Sequence, residues 1–345
     1  MDRTRTRTRR LPSALAAAAA VAALAALSCS TLVGPGAGAA SAEAATPVAP
    51  GSLTRGADPA VPVLTGRTIT DGERTVRVPG RSPSLLGASG DGYVVTTELD
   101  GRRPVLLLDG SGRRTLVDDL GTDDARLASD GSVVVLTRYR FAAQRSRVRV
   151  LDVATASIGQ RRGFEGFADV LDADETRVVV STFPPRATML WDLAADRVEL
   201  VGRQPGYAAS LADDRLAVYT GDPYRGGCSR VVRLQDPSRT LWRSCEERVT
   251  AFAPGGERLA TVGLLADGRG PQDVWARGTD GTLLQHYTVA GWFGLVQWED
   301  ATGLLLDSHG VRRAALVRCD TDATAGATDA GCERAGDLRA VTAGH

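Results

Sequence analysis

Asp307, Ser308 and His309 put a carboxylate, a hydroxyl and an imidazole in three successive positions, the side-chain types of a nucleophilic hydrolase. The run ends an apolar stretch that reads as a strand, where neighbours point to opposite faces, so the three cannot converge. They decorate a strand end. The other histidines are His286 and His345, and none stands at ligand spacing from a cysteine or another histidine, so no metal site is assigned. Asp172-Ala173-Asp174-Glu175 and Asp123-Asp124 gather carboxylate oxygens without the glycine of a calcium loop; they read first as solvated acidic turns, with a calcium site as the open alternative. Gly34-Pro35-Gly36-Ala37-Gly38 follows no strand and reads as linker rather than phosphate cradle. All 41 basic residues are arginine, which excludes Schiff-base and P-loop lysine chemistry. No catalytic residue and no cofactor is expected.

The elements that carry these residues recur along the chain. Short apolar runs start at Val94, Val133, Val178, Leu216, Leu259 and Leu304, at successive spacings of 39, 45, 38, 43 and 45 residues. Each run follows a tight polar turn such as Ser89-Gly90-Asp91-Gly92 or Pro254-Gly255-Gly256-Glu257, and each is preceded by another short strand. A further strand follows and ends near an aspartate: Asp109, Asp152, Asp192, Asp236, Asp280 or Asp320. Gly and Asp suit such turns because they tolerate unusual backbone angles. With a fourth strand, each unit has four strands in about 40 residues, the period of a propeller blade. A helical solenoid would need a 3.6-residue apolar period, which is absent.

The run Ala253-Pro254-Gly255-Gly256-Glu257-Arg258-Leu259-Ala260, a polar turn entering an apolar strand, and the single Trp-Asp pair Trp191-Asp192 carry a resemblance. At repeat level the chain resembles the bacterial TolB-like and WD-repeat-like propellers over roughly residues 67–340. No Gly-His pair opens the repeats, so membership of the eukaryotic WD-repeat family does not follow. The resemblance implies fold and leaves function open. The expected architecture is all-β, a propeller of six four-stranded blades, with seven as the alternative. In the six-bladed form a hairpin at 67–78 completes the last unit and closes the ring.

An arginine-rich start followed by an uncharged Ala/Leu run marks residues 1–28 as an export signal. Ala26-Leu27-Ser28-Cys29 resembles a degenerate lipoprotein box, which makes Cys29 a lipidation candidate and the N-terminus a membrane tether. Residues 29–60 read as a flexible linker and 61–345 as the propeller domain. The remaining cysteines are even in number, and Cys228 and Cys245 stand equidistant from the turn Asp236-Pro237. A hairpin there brings them together, which leaves Cys319 to pair with Cys332, and disulfides suit an exported, extracytoplasmic protein.

Residues 1–44 hold five arginines and two acids, so the rest of the chain carries 36 basic and 39 acidic residues. That balance argues against a nucleic-acid partner. In an up-and-down blade the second-to-third-strand loops share one end of the ring with the blade-to-blade connections. Ten of the 17 aromatic residues fall in or beside those segments. Tyr139, Arg140, Phe141, Phe183, Tyr224, Arg225, Trp292 and Phe293 are the leading candidates for a ligand-binding face, since aromatics and arginine dominate interface energetics. The expected function is a noncatalytic binding or scaffold module, monomeric, for a protein, peptide or cell-envelope glycan. The alternative is a hydrolase or lyase with acidic and Arg residues at the central channel, which convergent Asp, Glu or His side chains at one channel mouth would mark.

Overall fold

The computed structural model describes residues 45–323 and 331–341. The export signal expected over 1–28, Cys29 and the linker up to residue 44 lie outside the described residues. Seven sheets follow one another along the chain, each built around three or four consecutive antiparallel strands. The first strands of successive blades touch in order, so they form the inner wall of a β-propeller.

Blade 1 is Val63–Thr65, Thr68–Asp71 and Arg74–Arg77. Blade 2 runs from Arg81–Ser89 to Gly112–Val117 and blade 3 from Asp124–Leu127 to Ser157–Glu165. Blade 4 spans Phe167–Ala173 to Arg197–Gly202 and blade 5 spans Gly206–Ser210 to Thr240–Ser244. Blade 6 opens with Glu247–Phe252 and blade 7 with Trp292–Trp298. From blade 2 onward each second strand is a largely buried run, such as Val94 and Val95, Val178 to Val180 or Leu304 to Leu306, because blades cover both of its faces; in blade 1 only Ile69 of the second strand is buried. The core is therefore a series of inter-blade layers.

The seven-bladed form is the one observed, and the closure differs from the six-bladed expectation. The hairpin at 67–78 does not complete the last blade. It pairs instead with Val63–Thr65 and stands as a blade of its own. The last blade has no vacancy for it, because Cys332–Arg334 already supplies the fourth strand, with Cys332 opposite Cys319 in register and joined to it by a disulfide. The second disulfide, Cys228–Cys245, closes the hairpin of blade 5 just beyond the Ser229–Ser244 pair. Both are the pairs the spacing points to.

Residues 46–60 stitch the outside of the ring. Thr46–Pro47 adds in parallel to the outer strand of blade 6. Further on, the Arg334 amide donates to Thr54 O at 2.8 Å, and the Gly56 amide donates to Arg334 O at 2.9 Å. The chain then enters blade 1, whose Val63 packs on Leu305, Leu316 and Ala335 of blade 7 and its C-terminal continuation. This stretch, expected as part of the linker, is tied to blades 6 and 7.

The polar turns at one end link neighbouring blades. Ser89 donates to Gly131 O at 2.6 Å, the Ser129 amide to Ala173 O at 3.0 Å, and Arg215 Nε to Gly256 O at 3.0 Å. The Asp172 carboxylate accepts from the Ala173 amide at 2.8 Å and from Leu211 of the next blade at 2.7 Å.

Candidate functional site

The opposite end holds the loops between second and third strands. Blade 3 turns there through a single 3-10 turn, Phe141–Ala143, whose exit residue Gln144 has φ 46°. That tight turn leaves Phe141 no core to enter, and it is 84% exposed. Its neighbour Tyr139 meets Phe141 edge to face at 4.7 Å between ring centroids, and Phe167 at 5.7 Å. Phe167 opens the inner strand of blade 4 and stands directly opposite Phe183 in register. Phe167 is 49% and Phe183 51% exposed, and the Arg186 guanidinium lies 5.3 Å from the centre of the Phe183 ring. Three exposed phenylalanines and the half-buried Tyr139, from two blades, thus form one patch.

On blade 5 the 3-10 turn Pro223–Arg225 is capped by Asp222, which accepts from the Tyr224 amide at 3.0 Å and lies 3.6 Å from Arg225. Tyr224 projects outward, 72% exposed. Beneath it Tyr207 stacks on Tyr219 at 4.1 Å, and burial pushes both phenols above their usual range.

Three expected contacts belong elsewhere. Phe293 is wholly buried among Val289, Leu304 and Leu306, so it cannot touch a ligand at the surface. Trp292 stacks on His309 at 4.4 Å, two blades beyond Tyr224. Arg140 alternates with Tyr139 along its strand, so it faces blade 2 while Tyr139 faces blade 4. Phe164 and Tyr287, also among the ten aromatics at this end, are core residues.

His309 and Asp307 share a face and meet at 2.9 Å, with Arg339 also bound to Asp307. Ser308 points the other way and is buried, as strand alternation demands. His286 and Asp273 make a second such pair at 2.9 Å, stacked under Trp275. Among the described residues no three His, Cys, Asp or Glu side chains converge as a metal ion would require.

Inside the channel, below the aromatic patch, Asp124, Arg126, Phe167 and Asp169 line a cavity of about 150 Å³. Water reaches Asp169 from the channel, yet the crowding protein pushes its carboxyl above the usual range; Arg126 opposes the shift and Asp124 adds to it. The candidates chosen from the sequence missed these residues, whose positions on inner strands were the available signal. At the turn end a wider cavity of about 590 Å³ opens between Ser129, Asp213, Phe252, Leu295 and Trp298.

No protein-family model matches the chain, and no curated protein does. Solved structures do. An acylaminoacyl peptidase in complex with Z-Gly-Gly-Phe-chloromethyl ketone is 12% identical with a TM-score of 0.58, over 78% of this chain and 47% of that one. The β-propeller domain of the Trilobed protease from Pyrococcus furiosus, 12% identical, has a TM-score of 0.48 over 81% of this chain and 85% of that one. TolB from Acinetobacter baumannii, 12% identical, has a TM-score of 0.43 over 72% and 61%. The chain spans about half the length of the peptidase. At such identities the likeness is one of fold, and the fold is the propeller that the TolB-like repeat resemblance implies.

Proposed function

We propose that this chain is an exported, noncatalytic propeller that docks a protein, peptide or envelope glycan on its loop end. The observation that carries the reading is the aromatic patch across two blades, in which Phe141, Phe167 and Phe183 are exposed around the half-buried Tyr139. Exposed rings of this size remove much apolar surface from water for few frozen torsions, and they are enriched where proteins bind. Two disulfides favour an oxidising compartment.

Capture tests it. Immobilised full-length protein and the Phe141→Ala/Phe183→Ala variant are exposed to cell-envelope extract, and the retained species are compared by mass spectrometry. A species held by the native protein and lost by the variant is expected. An identical set of retained species would contradict the assignment of the face.

A hydrolase or lyase at the channel is favoured by one observation, the grouping of Asp124, Arg126 and Asp169 in a single cavity. Its signature is a turnover abolished by Asp169→Asn while ligand capture persists.

A further inference from the structure

Solvent meets the two disulfides differently. Cys319 and Cys332 are both buried, in the layer that also holds Tyr287 and Leu304. In the other pair Cys228 is buried, but Cys245 is exposed. It lies in the tight turn between blades 5 and 6, where the Ser244 hydroxyl accepts from the Glu246 and Glu247 amides at 3.1 and 3.0 Å. The pairs close loops of similar length, with sequence separations of 17 and 13, so they constrain the unfolded chain to a similar degree. Access to the sulfur, rather than chain entropy, separates them.

The buried sulfur has cationic neighbours. The Arg243 guanidinium donates to Cys228 Sγ at 3.5 Å. Arg230 stands directly opposite Arg243 and two residues from Cys228, on the same sheet face. Among the described residues neither guanidinium makes an ion pair, and Arg230 donates to Gln204 Oε1 at 2.6 Å instead. Glu246, beside Cys245 in the chain, is exposed and makes no ion pair either.

We infer that Cys228–Cys245 is a thiol-exchange site, which takes a thiolate from solvent onto Cys245. The attacking sulfur forms a bond to the exposed Cys245 Sγ, the bond between Cys245 and Cys228 breaks, and its electron pair leaves on Cys228 as a thiolate. One disulfide is consumed and one is formed, so no oxidant or reductant is needed. An adjacent arginine favours the thiolate, and a more stable thiolate leaves faster. The fold does not depend on the bond. Ser229, Arg230 and Val231 remain paired with Ser244, Arg243 and Trp242. Thr220 still brackets Cys228, its hydroxyl accepting from the Cys228 amide and its amide donating to Cys228 O, both at 2.9 Å. Cys228 therefore stays next to the adduct, able to attack Cys245 Sγ, expel the captured thiol and restore the native pair. The site is separate from the aromatic patch and does not depend on it.

The test exposes the oxidised full-length protein to 2-mercaptoethanol, traps free thiols with N-ethylmaleimide at early times and maps each cysteine by mass spectrometry. The expected product carries mercaptoethanol on Cys245 and maleimide on Cys228, with Cys319–Cys332 intact. Removing the thiol before trapping should return the native pair. Arg243→Gln is expected to slow the exchange about fivefold. Arg239→Gln, exposed at the other end of the same hairpin, is expected to change it less than about twofold. Opening of Cys319–Cys332 first or at an equal rate would overturn the inference, since exchange would then run through general unfolding. So would mercaptoethanol on Cys228 with maleimide on Cys245, or equal rates in the native protein and Arg243→Gln.

Discussion

Tyr139 of blade 3 meets Phe167 of blade 4 edge to face, with ring centroids 5.7 Å apart, at the end of the propeller that carries the loops. The contact crosses the boundary between blades that are consecutive in the chain, so one surface draws on two repeats. A ligand seated there would be read by both.

Phe141 lends little to the fold, since it is 84% exposed and touches Tyr139 by an edge contact. Phe141→Ala should leave the unfolding midpoint nearly unchanged and weaken a captured ligand by about 1–3 kcal/mol. Isothermal titration against that ligand, beside thermal unfolding, checks both halves. A large loss of stability with binding intact would return Phe141 to a structural role.

Asp172 is a strut between blades 4 and 5, accepting from Ala173 and Leu211 amides with separate oxygens. Asp172→Asn keeps one acceptor and turns the other into a donor facing an amide. Denaturant unfolding should show a loss of about 1–3 kcal/mol. Stability within a few tenths of native would mean that the strut carries no weight.

The pH dependence follows from two opposed sets of carboxylates. Asp152 is held below the usual range by the Thr155 hydroxyl and amide, and Asp300 by the amides of Gly303 and Thr302. For Asp174, burial pushes upward, but hydrogen bonds from Thr176 and Arg177 outweigh it and the carboxyl is again lowered. A lowered folded pKa gives stability that is present above the ordinary carboxylate value and lost as pH falls through the folded one. Burial raises Asp172, and burial with help from Asp124 raises Asp169 against Arg126. Their share is present at low pH and is lost as pH rises through their folded values. The unfolding midpoint should therefore be highest in the mildly acidic range and fall steeply below about pH 4. A midpoint still rising towards pH 3 would contradict the turn assignments.

The strand Cys332–Arg334 holds the seam of the ring through the Cys319 disulfide and the Thr54 and Gly56 hydrogen bonds. Cys332→Ser should cost about 2–4 kcal/mol and speed hydrogen exchange first over residues 46–60. Uniform exchange across all blades would show that the seam is not the weak point.

The repeat was legible because each blade repeats one physical device. The six aspartates expected to end third strands all close their turns by accepting from a residue two or three further on: Asp109 from Ser111, Asp152 from Thr155, Asp192 from Ala195, Asp236 from Ser238, Asp280 from Thr282 and Asp320 from Asp322. The blade number was less legible. Whether the hairpin at 67–78 joins the last blade depends on where Cys332–Arg334 goes, a contact with its partner strand across a Gly- and Ala-rich stretch that carries no strand pattern. The site was legible in part. Loop position marked Phe141, Phe183 and Tyr224 as exposed, but it could not separate Trp292 from the adjacent Phe293, because strand alternation sends one to the surface and the other to the core. Asp169 went unmarked, and Asp124 was read as part of a solvated acidic turn, because only ring closure turns the first strand of a blade into a channel wall.

A photo-crosslinking residue placed singly at 141, 183, 224, 109 and 280 tests the docking face most directly, because it reports proximity without requiring any residue to contribute energy. With the captured ligand present, crosslinks should form from positions 141, 183 and 224 at the loop end and be absent from 109 and 280 in the short polar turns. Crosslinks from 109 and 280 with none from 141, 183 or 224 would contradict the account and move the binding surface to the opposite end of the ring.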